Sequence, residues 1–242
     1  MDKRQNLELI ADISNANGAP GFEDDVVAQI RRHAEGLGEL KEDSLRNFYI
    51  YRKENKGNRP VVQLDGHSDE VAFMVQAIRP DGNLRIIPLG GWVTSNVPAH
   101  KVWVRNALGE YIPGIVASKP PHYMTEAERK APLVFENITV DVGAVSKEEA
   151  ENEFHIRIGE PVVPDVTFTY DEKHDLMVGK SFDCRLGCAS IVSTLRELQG
   201  KELAVDVVGA CCSQEEVGTR GSQVTCRTVN PDIAIVDRKS VV

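Results

Sequence analysis

Apolar positions at the head of the chain recur with a helical period. Leu7, Ile10, Ala11 and Ile13 share one face, and Asn17-Gly18 ends the helix they predict. A second helix is expected over residues 23–34, with Val26, Val27 and Ile30 on its apolar side. Glu23, Asp24 and Asp25 fall in its first turn, where acidic groups complement the helix dipole. The pattern then turns to that of strands over residues 48–51 and 60–64, the second bounded by Gly66. This is an α/β opening.

From residue 71 to residue 164 short apolar runs alternate with turn residues such as Pro80-Asp81-Gly82-Asn83, Gly90-Gly91 and Lys119-Pro120-Pro121. Runs over 84–89, 101–105 and 111–116 predict a small barrel or sandwich, with a helix over 146–153 that Ser146 caps and Glu149 closes as a capping box. After Gly179 the α/β texture resumes. Leu186, Ala189, Val192, Leu195 and Leu198 predict a helix, residues 204–212 a buried strand, and residues 233–236 a further short strand of buried character. The expected organisation is one α/β domain in two parts, 1–70 and 165–242, interrupted by an inserted β-rich domain at 71–164.

Composition narrows the classes. With 41% hydrophobic and 27% charged residues the chain is an ordinary globular sequence rather than a disordered one. Its 28 Lys+Arg against 37 Asp+Glu give a net charge of -9, which repels a phosphate backbone, so no nucleic-acid partner is expected. No apolar stretch reaches bilayer length and the amphipathic start does not read as a signal peptide, which predicts no membrane partner and a cytoplasmic location. The 5 cysteines are an odd number without CxxC pairing, an argument for buried reduced thiols over disulfides or a thiolate zinc knot.

Four places carry candidate chemistry. His67 and Asp69 follow the strand at 60–64, and in an extended segment they point the same way, so the carboxylate can orient an imidazole that binds a metal through its other nitrogen. Asp183 stands at a helix start, where it either caps the helix or bridges cations. Glu215 and Glu216 directly follow the strand at 204–212, where open α/β sheets place ligands and a cation relieves carboxylate repulsion; a solvated acidic turn is the alternative. Asp237 closes the strand at 233–236, as a further ligand or as a turn residue. Together they favour a metal centre, and mixed imidazole and carboxylate donors suit Zn²⁺, Co²⁺ or Mn²⁺.

The chain resembles the glutamyl aminopeptidase-like metallopeptidases, which include the tetrahedral (TET) aminopeptidases and proteins labelled cellulase M. The resemblance runs through Ala19-Pro20-Gly21-Phe22-Glu23, Gly66-His67-Ser68-Asp69-Glu70-Val71, Lys119-Pro120-Pro121-His122, Gly179-Lys180-Ser181-Phe182-Asp183 and Gln214-Glu215-Glu216-Val217-Gly218. It implies an α/β, three-layer zinc-peptidase-like sandwich with an inserted small β-barrel domain that serves oligomerisation, in many members as a hollow dodecamer. It also implies two divalent ions, Zn²⁺ or Co²⁺, one held by His67, Asp183 and Asp237 and the other by Asp183 and Glu216. Glu215 is then the general base, Asp69 holds the tautomer of His67, and peptides are the substrates. The alternatives are a metal-independent glycan hydrolase and a non-catalytic assembly subunit.

Two departures from the pattern stand out. Cys184 occupies a place where relatives usually carry Asp or Asn, which alters the surroundings of Asp183 without removing a ligand. Relatives also continue past the position of Asp237 and supply a final histidine ligand and part of the substrate pocket. The chain is therefore expected to be C-terminally truncated, with weak metal occupancy and little turnover. Residues 237–242 match the translation of a common sequencing-adapter stretch, which predicts a gene fragment read into adapter and puts the native residue at Asp237 in question. A stop codon after Val242 in the genomic locus refutes that reading.

Overall fold

A computed structural model describes residues 2–237. The chain separates into two compact units, one of residues 1–70 and 167–242, the other of residues 71–166. Positions 238–242, most of the expected adapter-like end, lie outside the described residues.

The first unit contains α1 (Lys3–Asn15), α2 (Asp24–Ala34), β1 (Gly38–Glu42), β2 (Phe48–Arg52) and β3 (Val61–His67) before the second unit begins. The second unit contains β4 (Ala72–Ile78), β5 (Leu84–Leu89), β6 (Lys101–Arg105), β7 (Tyr111–Ser118), α3 (Glu126–Lys130), β8 (Ile138–Asp141), α4 (Lys147–Asn152) and β9 (Pro161–Pro164). The first unit then resumes with β10 (Thr169–Asp171), β11 (Leu176–Val178), α5 (Phe182–Glu197), β12 (Asp206–Cys212), α6 (Arg220–Val229) and β13 (Ile233–Val236).

In the first unit five strands form a sheet in the order β1-β2-β12-β3-β13. The β1, β2 and β12 neighbours are antiparallel, and β12, β3 and β13 run parallel. Every residue of β12 is buried, as a central strand covered on both faces requires. Alternation sends Val207 and Cys211 into a core with Leu9, Ile13, Val26, Ile30, Val192 and Leu195 of α1, α2 and α5. Ala210 and Cys212 join Tyr49, Tyr51 and Val229 on the opposite face, where α6 lies. Helix, sheet and helix make the three layers. The second unit is a closed barrel in the order β4-β5-β8-β7-β6-β9, filled by Phe73, Leu84, Val102, Val104, Val116, Ile138, Val140 and Val162.

Several local expectations change. Ile233, Ile235 and Val236 of β13 are 55%, 58% and 53% exposed, because β13 is an edge strand paired only to β3 and nothing among the described residues covers its faces. An apolar run predicts a strand, but burial depends on neighbours. Ser146 does cap α4 through Glu149 N, yet the Glu149 carboxylate reaches the amide of Val145 rather than that of Ser146. A full capping box occurs at Thr125 and Glu128, at the start of α3. Glu23 precedes α2 as its N-terminal boundary residue and makes no capping bond, leaving Asp24 and Asp25 in the first turn. No helix among the described residues is long and apolar enough to cross a membrane.

Candidate metal centre

Parallel pairing aligns the ends of β3 and β12 so that Cys212 stands opposite His67, and the segments that follow leave the same edge of the sheet. The amide of Ser68 donates to the Cys212 carbonyl at 2.8 Å, tying the two exits together. On the other side Val236 stands opposite Asp65, and Asp237 N donates to Asp65 O at 2.9 Å. The first turns of α5 pass directly over β3. A Cβ added to Gly66 would lie 3.2 Å from the Gly187 carbonyl carbon, so a larger residue would have to push the two backbones apart by a few tenths of an ångström.

These elements gather side chains from three distant segments. His67 is buried, with Nε2 3.1 Å from Asp183 Oδ1 and 3.8 Å from Glu215 Oε2. Donor atoms of His67, Asp183 and Cys184 lie within 4.8 Å of one another, as do those of His67, Glu215 and Glu216. Asp183 and Cys184 have non-helical angles at the mouth of α5, and the Asp183 carboxylate is exposed beside the imidazole. Asp237 falls outside both groups. It is half-buried against Gly187, and lines with His67, Glu215 and Cys212 a cavity of about 260 Å³.

The turn carrying Glu215 and Glu216 is held by its own backbone. Ser213 N donates to Asn47 Oδ1 at 2.9 Å and Gln214 N to Glu23 Oε1 at 3.0 Å. Glu215 N and Glu216 N donate to the two carboxylate oxygens of Asp69 at 2.9 and 3.0 Å. Three side chains thus pin four consecutive amides. The Asp69 carboxylate is spent largely on this turn. His67 Nδ1 lies 3.2 Å from the Asp69 carbonyl and 3.5 Å from its Oδ1. Sequence reasoning passed over Asn47, and took Glu23 for a first-turn acid.

Beneath the site Glu70 and Arg185 are both buried and 3.1 Å apart. Glu70 also accepts from Gly18 N and Lys180 Nζ at 3.1 Å and from Ser181 Oγ at 2.7 Å. Arg185 Nε donates to Ser68 O at 3.0 Å and its NH1 to Ala16 O at 2.5 Å. The cluster joins the segment after α1, the exit of β3 and the turn into α5, which are the parts that carry His67 and Asp183.

Charge is crowded here. Burial alone disfavours the imidazolium of His67, but Asp69, Asp183 and Glu215 outweigh it and push the pKa up to about 9. Burial, with Asp69, Glu215 and Asp183 adding to it, raises Glu216 to about 7, although His67 opposes the shift. Burial lifts the Cys184 thiol to about 12. The carboxylates gathered around His67 favour positive charge at this point. The donors present, nitrogen, oxygen and sulfur with an excess of negative charge, fit a divalent transition metal.

Glu23 gives a test independent of any metal. Its carboxyl is fully buried, Oε2 has no hydrogen-bond partner, and burial raises its pKa from 4.5 to about 7. Between these values the folded state keeps a proton that the unfolded chain has lost, so stability falls as pH rises through the window. Glu23→Gln is expected to stabilise the metal-free protein by about 2–3 kcal/mol near pH 8 and by less than about 1 kcal/mol near pH 5. Urea unfolding at the two pH values measures the difference; a gain that does not change with pH contradicts it.

The chain is similar to known proteins along nearly its whole length. The FrvX protein of Escherichia coli (strain K12) is 36% identical over 96% of this chain and 63% of its own length. The glutamyl aminopeptidase of Lactococcus lactis subsp. cremoris (strain MG1363) is 30% identical over 94% of this chain and 64% of its own. The chain thus spans slightly less than two thirds of the length of these relatives. The crystal structure of a TET aminopeptidase from the marine sediment archaeon Thaumarchaeota archaeon SCGC AB-539-E09 superposes with a TM-score of 0.93 at 36% identity, covering 98% of this chain and 67% of that one. Residues 47–238 match the M42 glutamyl aminopeptidase family, and the chain belongs to that family.

Proposed function

We propose that this chain carries the metal centre of a cytoplasmic aminopeptidase that removes N-terminal residues from short peptides with two divalent ions, Zn²⁺ or Co²⁺. His67, Asp183, Glu216 and Asp237 are the proposed ligands, with Asp183 shared between the ions. The observation that carries the reading is the convergence on His67 of Asp183 and of the neighbours Glu215 and Glu216, from two other segments distant in sequence.

Bound cations of this kind polarise a peptide carbonyl and make water acidic enough to lose a proton near neutral pH. Glu215, whose Oε2 faces the ligand nitrogen of His67, receives that proton at its carboxylate and returns it to the leaving amine. The pinned amides of residues 213–216 keep the Glu215 carboxylate from swinging away. The surplus of carboxylates attracts the positively charged amino end of a peptide and disfavours an acylated one.

The test is slow release of the N-terminal residue from short peptides by Zn²⁺- or Co²⁺-loaded protein, followed over hours. Release is expected to stop on chelation and to be absent with N-acetylated peptides. Cleavage that survives chelation, or hydrolysis of a β-glucan in its place, defeats the proposal. A glycan hydrolase needs carboxyl groups about 5–9.5 Å apart across a sugar. Here Glu215 and Glu216 are neighbours on one turn, with donor atoms within 4.8 Å.

The barrel unit is the proposed surface for self-assembly. It exposes Val93, Leu108, Tyr123, Val145 and Ile158, at 65%, 63%, 69%, 81% and 66%. Sedimentation is expected to show a homo-oligomer at micromolar concentration; a monomer throughout the micromolar range overturns this role.

A further inference from the structure

Two of the buried thiols fall outside the candidate donor groups and have other partners. Cys188 Sγ lies 3.3 Å from the backbone carbonyl of His67, and Cys212 Sγ lies 3.1 Å from Asp65 Oδ2. Cys184 differs. Its Sγ is grouped with a ring nitrogen of His67 and a carboxylate oxygen of Asp183, all within 4.8 Å of one another, and it is the only sulfur among the described residues so placed. Its thiol donates to the backbone carbonyl of Asp237 at 2.9 Å, which sets it on the same side as the proposed fourth ligand.

We infer that Cys184 is itself a metal ligand: its thiolate shares a cation with His67 and Asp183 and makes this position selective for thiophilic ions. The inference rests on the proposed reading of the centre as a metal site. It departs from the all-nitrogen-and-oxygen donor set of that reading, in which Cys184 has no ligand role.

The geometry is within reach. Bonds of about 2.0–2.1 Å to nitrogen and about 2.3 Å to sulfur in a tetrahedral site place neighbouring donors about 3.5 Å apart, a closing of at most about 1.3 Å from the 4.8 Å limit, which side-chain torsions can supply. His67 Nε2 and Asp183 Oδ1, at 3.1 Å, already sit at such a separation. Ligation forms a metal–sulfur bond, breaks the S–H bond and releases one proton to solvent. A thiolate among the donors favours Zn²⁺ and Cd²⁺ over Mg²⁺ and Mn²⁺, which prefer oxygen.

The experiment is a titration of the chelator-stripped protein with Co²⁺, recorded in the visible and the near ultraviolet. Ligand-field bands report Co²⁺ in a protein site, and a sulfur-to-cobalt charge-transfer band reports a thiolate bound to it. Both are expected in the native chain. Cys184→Ser should keep the ligand-field bands, lose the charge-transfer band and lower the preference for Cd²⁺ over Mn²⁺ by at least about tenfold, while Cys226→Ser keeps all three signals. Ligand-field bands without charge transfer in the native chain overturn the role of Cys184 and leave the metal centre standing. A charge-transfer band that persists in Cys184→Ser overturns it as well. Absence of any bound Co²⁺ overturns both readings. The native spectrum decides between these even where the variant fails to fold.

Discussion

Arg185→Met is expected to lower the unfolding free energy by about 3–5 kcal/mol, the range found when one partner of a buried ion pair is removed. Arg185 is 2% exposed, so its guanidinium cannot trade protein partners for water in the folded state. It donates to Glu70 and to the carbonyls of Ser68, Ile13, Ser14, Ala16 and Gly18. Methionine fills much of the volume and satisfies none of these acceptors, leaving Glu70 with a single cationic partner, Lys180. Burial alone raises the Glu70 pKa, and Arg185 and Lys180 more than offset it, holding it below the ordinary value. Urea unfolding near pH 7 in the presence of chelator measures the loss; a change under about 1 kcal/mol would show that packing, not the ion cluster, holds the three segments together.

Asp183→Ala is expected to weaken divalent-metal binding by more than about a hundredfold, beyond the 10–100-fold typical of losing a group behind the ligands. Its Oδ1 is the carboxylate oxygen nearest to His67 Nε2, at 3.1 Å, and the proposed arrangement gives it to both cations. Because the side chain is exposed, its removal should change stability by no more than about 0.5 kcal/mol. Equilibrium dialysis with Zn²⁺ and urea unfolding separate the two effects. Unchanged affinity removes Asp183 from the centre, and a fall in both quantities marks it as a structural residue.

What the sequence made legible follows from how each feature is encoded. α1, α2 and α5 bury one apolar stripe each, so their periodicity is strong, and β12 is apolar because both of its faces are covered. α6 left no trace because Arg-Gly-Ser-Gln-Val-Thr-Cys-Arg-Thr-Val has few apolar positions and buries only Gly221 and Thr225. β1 and the β10–β11 hairpin are mostly polar or exposed and read as loop. In the site, His67, Glu215 and Glu216 stand out because each follows an apolar strand. Asn47 and Glu23 do not, because they act on amides 166 and 191 residues away, and nothing local announces such a bond. Cys184 was legible as a departure from the family pattern, but its nearness to His67 depends on the non-helical turn that opens α5.

The open margin of the sheet has a chemical consequence. Among the described residues β13 pairs only with β3 and all four of its residues are exposed, so separating it from β3 requires far less free energy than unfolding the whole unit. Asp237 is tied there by the hydrogen bond its N–H donates to the Asp65 carbonyl and by the one its own carbonyl accepts from the Cys184 thiol. In the proposed centre, where Asp237 is a ligand, each opening of this margin lowers the number of ligands by one. Exchange of the Ile235 amide proton with solvent is therefore expected to slow when a divalent ion binds Asp237 and holds the margin shut.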